Sequence, residues 1–105
     1  MKTVVTHISP DLDAVSAIWL VKTYLPGWSE AKTIFVPAGT TYENMSPDTD
    51  PNIIHVDTGF GKFDHHQTDE YTSATKRVFE YLIEKKHIER KLVKPLERMV
   101  SQINS

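Results

Sequence analysis

Acidic and histidine side chains in three short motifs together offer the ligands that two divalent metal ions need. The first motif carries His7, Asp11 and Asp13, an apolar run ends at Asp57, and the triplet Asp64-His65-His66 follows. Carboxylate oxygens and imidazole nitrogens bind divalent cations, and two cations that share one water activate it for hydrolysis. Carboxylates crowded together would repel each other unless cations offset their charge. The motifs therefore predict a metal-dependent chemistry.

The elements predicted around these motifs bring them to one edge of a sheet. An apolar strand precedes His7, a helix begins near Asp11, and another apolar strand ends at Asp57. In an open parallel sheet, ligands bind outside the carboxyl ends of the strands. We therefore expect these three side chains and Asp13 to lie around one crevice.

The order of the predicted elements indicates the α/β class. Apolar runs predict strands over 2–6, 32–37 and 52–57, and apolar residues at helical spacing predict helices over 11–24, 72–86 and 89–103. This order favours a mostly parallel sheet with helices on both faces. Pro95 lies inside the last helical pattern, so we expect a kink there or a helix that begins nearer Pro95.

Composition limits the classes of protein that fit. The 105 residues suit a single domain over 1–105, with a hydrophobic fraction of 39% and a net charge of −2. This charge gives no long-range attraction for nucleic acid or anionic membrane. The chain has no cysteine, which excludes disulfides and thiolate zinc sites. No apolar run approaches the ~18 residues of a membrane span, so we expect no membrane partner and a cytoplasmic location.

Single residues of the motifs also have structural explanations. An aspartate at a helix start, such as Asp11, is more often an N-cap than a ligand. Asp57 precedes a glycine-rich segment and by itself is more often part of a turn. For His55, inside the apolar run, we expect a buried, hydrogen-bonded ring, and for His87 a solvated one. The metal prediction therefore depends on the three motifs occurring together.

Together the motifs resemble those of the DHH phosphoesterase superfamily, which is named for the triplet Asp64-His65-His66. The resemblance covers residues 4 to about 82. It implies a Rossmann-like parallel sheet and two-metal hydrolysis of a phosphoester. The oxygen-rich ligand set suits Mn²⁺, Mg²⁺ or Co²⁺, and two ions are expected as cofactors. The implied substrates are a small phosphorylated molecule, a nucleotide or a short oligonucleotide.

The resemblance also implies a role for each residue at a matching position. His7 and Asp11 would bind one metal, Asp13 and His65 would bind the second, and Asp57 would bridge the two. In the catalytic group, His66 would face the phosphate as an electrophilic or acid group, and Asp64 would orient an imidazole.

Two features of the family pattern have no counterpart here. Members usually carry a further aspartate beyond the triplet, and Asp69 comes too soon to match it. Members also usually have a C-terminal domain that binds substrate. We therefore keep three alternatives: a metal-dependent phosphohydrolase, a catalytically impaired metal-, phosphate- or nucleotide-binding module, and an acidic cluster with only a structural role. A homo-oligomer or a missing C-terminal domain is also left open.

Overall fold

The computed structural model describes residues 2–37, 39–58, 62–63 and 73–104. Its elements in chain order are β1 (Thr3–His7), α1 (Leu12–Tyr24), β2 (Lys32–Val36), a 3₁₀ turn (Tyr42–Asn44), β3 (Ile53–His55), α2 (Ala74–Glu84) and α3 (Arg90–Asn104). The three strands form one parallel sheet in the order β2-β1-β3. The expected α/β class, with a parallel sheet and helices, is confirmed.

The central strand β1 sets the register of the sheet. Thr3 lies opposite Lys32 on one side and Ile53 on the other. Val4 and Val5 are both fully buried, although consecutive strand residues face opposite sides of a sheet. Both faces of β1 are therefore covered, as is usual in parallel sheets.

The two faces of the sheet are covered by different kinds of structure. Val4 belongs to a buried core shared with all three α-helices, whereas Val5 faces the other side beside His55. Helix α1 connects β1 to β2, and connection 37–52 leads back in the opposite direction, from β2 past β1 to β3. Because crossovers between parallel strands are right-handed, two crossovers in opposite directions lie on opposite faces of the sheet. In its described residues, connection 37–52 contains the 3₁₀ turn and no other helix, so the described α-helices lie against the face of Val4.

Helix α1 begins and ends where the sequence indicates. The Asp11 carboxylate accepts a hydrogen bond from the Ala14 N–H, which caps the first turn. The helix ends at Tyr24, just before Pro26 and Gly27, and Gly27 has the positive φ of 85° that glycine tolerates. The α1 start is therefore fixed close to the end of β1.

Helices α2 and α3 complete the core. The Ser73 hydroxyl caps α2 by accepting from the Lys76 N–H. Helix α3 begins at Arg90 and continues through Pro95, so a start near Pro95 is wrong. Within the described residues, no helix has the length and apolar character needed to cross a membrane.

Candidate metal site

Three predicted ligands meet at the carboxyl end of the sheet. His7, Asp11 and Asp57 each offer one ligand atom, and these atoms all lie within 4.8 Å of one another. One imidazole nitrogen and two carboxylate oxygens form a donor set that suits a divalent cation such as Mn²⁺ or Mg²⁺. Of the four side chains that we expected around one crevice, the structure brings these three together, and Asp13 is not a member of the group.

His7 is held by hydrogen bonds at both ring nitrogens. Its Nε2 lies 3.0 Å from Asp57 Oδ2, and its Nδ1 lies 3.1 Å from the Ile8 carbonyl oxygen. Both partners are acceptors, so this arrangement fits an imidazolium that donates from both nitrogens. Burial alone would lower the pKa of His7, but the hydrogen bonds to Ile8 and Asp57 and the charges of Asp57 and Asp11 raise it above the ordinary histidine value.

Asp57 reaches the site through an unusual backbone turn. Strand β3 ends at His55, two residues earlier than the apolar run predicted, and Val56 adds one more backbone bond, to the Val5 carbonyl (2.8 Å). Asp57 then adopts a φ of 55°, a left-handed conformation that non-glycine residues seldom adopt. Its N–H donates to the Phe63 carbonyl (2.8 Å), and the residue is only 2% exposed. Aspartate is one of the few residue types that tolerate this conformation, and the turn places a buried carboxylate beside the His7 imidazole.

Asp11 combines the two roles that its position suggested. One carboxylate oxygen caps α1 through the Ala14 N–H at 2.9 Å. The side chain is exposed and also offers an oxygen to the group with His7 and Asp57. N-capping and metal binding are therefore compatible for this residue, because a carboxylate has two oxygens.

Asp13 lies apart from this group of three and binds the start of α2. Its carboxylate accepts from the Ala74 N–H (3.0 Å), the Thr75 N–H (2.8 Å) and the Thr75 hydroxyl (2.6 Å). The first N–H groups of a helix have no partner within the helix, and Asp13 supplies one from α1. Its role as a ligand of a second metal stays a prediction.

Thr75 is a residue of this region that the sequence reasoning missed. Its hydroxyl contacts both the carboxylate and the main-chain carbonyl of Asp13. The only local signal is a hydroxyl residue two positions after the N-cap Ser73. That pattern indicates a helix start and does not indicate which distant carboxylate will bind there.

The triplet Asp64, His65 and His66 lies outside the described residues. The predicted second-metal ligand and the two predicted catalytic residues therefore stay predictions.

His55 is buried and hydrogen-bonded, as predicted. The Tyr42 N–H donates to its Nε2 (3.1 Å), so the ring proton of the neutral form lies on Nδ1. Within the described part of the chain, Nδ1 has no hydrogen-bond partner. Burial lowers the pKa of His55, and the negative charge of Asp48 opposes that shift only in part.

Comparison with protein-family models, with curated proteins and with solved structures found no match for this chain. The functional interpretation therefore depends on the site itself and on the sequence motifs.

Proposed function

We propose that this protein is a divalent-metal-dependent phosphoesterase. The observation that carries the proposal is the convergence of His7, Asp11 and Asp57 at the carboxyl edge of a parallel sheet. The substrates we propose are a small phosphoester, a nucleotide or a short oligonucleotide end, and the proposed ions are Mn²⁺, Mg²⁺ or Co²⁺. The resemblance of the three motifs to DHH phosphoesterases supports the same assignment.

The side chains fit a metal ion by donor type and by preorganisation. His7 is oriented by the Ile8 carbonyl at Nδ1, which leaves Nε2 directed at Asp57. A ligand histidine fixed in this way through its other nitrogen is the usual arrangement in metal sites. The chemistry supplied at such a site is polarisation of the phosphoester and a lowered pKa for water.

The chain's own residues have separate tasks in this proposal. The buried Asp57 carboxylate lies 3.0 Å from His7 at the end of β1, which suits it to bridge two ions. Asp11 is the N-cap of α1, and the dipole at this helix start also favours an anion such as phosphate. Asp13 and His65 are the proposed ligands of a second ion, with His66 facing the phosphate and Asp64 orienting an imidazole.

The test is hydrolysis of a generic phosphodiester or dinucleotide with added Mn²⁺. We expect Asp57→Ala to lower the rate by at least about a hundredfold, because it removes the buried carboxylate of the site. The matched control is Glu30→Gln, which removes a carboxylate from an exposed position outside the site, and it should retain the wild-type rate. Equal activity in wild type and Asp57→Ala would contradict the proposal.

A second candidate function is a metal- or phosphate-binding module without turnover. It is favoured by the given residues after the triplet, among which Asp69 is the only aspartate and comes too soon to match the family's further one. Calorimetry would then show Mn²⁺ or nucleotide binding, and long incubation would yield no product. Metal-dependent turnover that disappears in His65→Ala would exclude this candidate.

A further inference from the structure

Helix α1 is apolar on the side that faces away from the core. Leu12, Val15 and Trp19 are 67%, 50% and 44% exposed, and they follow one another at steps of three and four residues. This spacing places them in one stripe along the helix. The side toward the core is apolar as well and includes the fully buried Ala17 and Leu20. A helix that is apolar all round is normally covered on all sides.

A further exposed apolar side chain lies on the same side of the sheet as α1. Phe35 of β2 is 49% exposed and lies opposite Thr6 of β1. Thr6 faces the same side of the sheet as Val4, which belongs to the core shared with α1. Phe35 therefore lies on the α1 side of the edge strand β2.

We call this region the apolar edge surface. Its members are Ile8, Leu12, Val15, Trp19 and Phe35. They are five of the six large hydrophobic side chains that are exposed in the described part of the chain, and the sixth, Ile83, lies on α2. Exposed apolar side chains that gather into a large patch are typical of an interaction site.

The stripe also lacks the charges of a solvated helix face. The positions of α1 that are exposed are Leu12, Val15, Trp19 and Thr23, and none is charged. Charged residues are depleted at the centres of protein interfaces, whereas tryptophan is enriched there. The composition of the stripe is therefore that of an interface.

We propose that a second copy of this chain covers the apolar edge surface, with the two α1 helices packed antiparallel across a two-fold axis. The charges at the two ends of α1 favour a second copy in this antiparallel arrangement. Asp11 lies at the start of α1 and Lys22 in its last turn. Antiparallel packing sets Lys22 of each copy near Asp11 of the other, whereas parallel packing would bring like charges together. A two-fold axis makes each surface its own complement.

The residue spacing fits such a helix pair. Leu12, Val15, Trp19 and Lys22 are separated by three, four and three residues, the a and d spacing of helices that pack side by side. If the two-fold axis crosses the stripe at the level of Ala17, Val15 of one copy meets Trp19 of the other. Leu12 of one copy then meets the aliphatic stem of Lys22 of the other. Every large side chain of the stripe then gains an apolar contact.

Sedimentation equilibrium of the full chain over a concentration series, in EDTA, tests the proposal. EDTA separates this result from the proposed function, because the apolar edge surface does not need a metal. We expect wild type to form dimers, and Trp19→Glu to weaken association by at least about thirtyfold, since it places a charge at the centre of the interface. Ile83→Glu is the matched control, at an exposed apolar position on α2 (37% exposed against 44% for Trp19), and it should associate like wild type.

Circular dichroism and thermal melting check that the variants stay folded. Trp19 is exposed in the monomer, so Trp19→Glu should retain the helical signal. If it does not, Val15→Lys supplies the same test at a smaller side chain. A wild-type chain that sediments as a monomer at every concentration up to about 0.1 mM would overturn the proposal. A folded stripe variant that associates as tightly as wild type would overturn it as well.

Discussion

His7 and His55 lie on the same face of the sheet, on neighbouring strands, and their surroundings shift their pKa values in opposite directions. Both side chains share the face of Val5, since His55 lies opposite Val5 and His7 follows it by two residues. His7 has Asp57 and Asp11 beside it, and its pKa is raised. His55 is 1% exposed and its pKa is lowered by burial.

The difference shows that neighbours, and not position along a strand, decide what a histidine does. Acceptors surround His7 and favour its charged form, and a cation can take the place of the Nε2 proton. His55 instead accepts from the Tyr42 N–H, so its neutral form is the one that fits. In our proposal the His7 ring binds a cation, whereas the His55 ring holds connection 37–52 against the sheet.

The largest expected contrast between the two histidines is in metal binding. His7→Ala removes one of three converging ligands, and we expect Mn²⁺ affinity to fall by about a hundredfold or more. His55→Gln should change the affinity by less than about threefold, because that ring lies outside the group of three and glutamine still offers an acceptor to Tyr42. Calorimetric titration at pH 7.5 measures both. Equal losses in the two variants would contradict the contrast.

A comparable contrast holds between the aspartates of the first motif, with stability as the readout. Asp13→Ala leaves the Ala74 and Thr75 donors without their carboxylate, and we expect the free energy of unfolding to fall by about 2–3 kcal/mol. Asp11→Ala removes one capping bond and should cost about 1 kcal/mol. Urea denaturation in EDTA compares the two variants. A larger loss of stability for Asp11→Ala would contradict the role of Asp13 in stabilising the start of α2.

The smallest effect is the pH dependence of stability, where the two histidines should act with opposite sign. The folded pKa of His55 is lowered, so its contribution is fully present above the unfolded value of 6.5 and is lost as pH falls toward the folded pKa. The folded pKa of His7 is raised, so its contribution is present below 6.5 and is lost as pH rises through the folded pKa.

Urea denaturation between pH 5 and pH 8 in EDTA measures these contributions. We expect His55→Gln to flatten the loss of stability on the acid side. An NMR titration of the ring signals gives the same test directly, with His7 titrating above 6.5 and His55 below it. A pKa of His55 higher than that of His7 would contradict the comparison.

Much of the site could be predicted because it follows from local patterns and one general rule. The α1 cap at Asp11 and the stop near Pro26 are short-range features. That His7 and Asp57 meet follows from the parallel arrangement of their strands. The early end of β3 and the positive φ of Asp57 were not predictable, because an apolar run does not show where the backbone leaves the sheet.

By itself, the sequence determined the α/β class, the start of α1 and the set of side chains that carry metal-binding donor atoms. Only the tertiary structure decided how the similar carboxylates are used. Asp57 meets His7 across 50 residues of chain, and Asp13 meets Thr75 across 62. The physical reason is that a carboxylate accepts from whichever donor packing brings within about 3 Å. Composition and periodicity do not contain that distance.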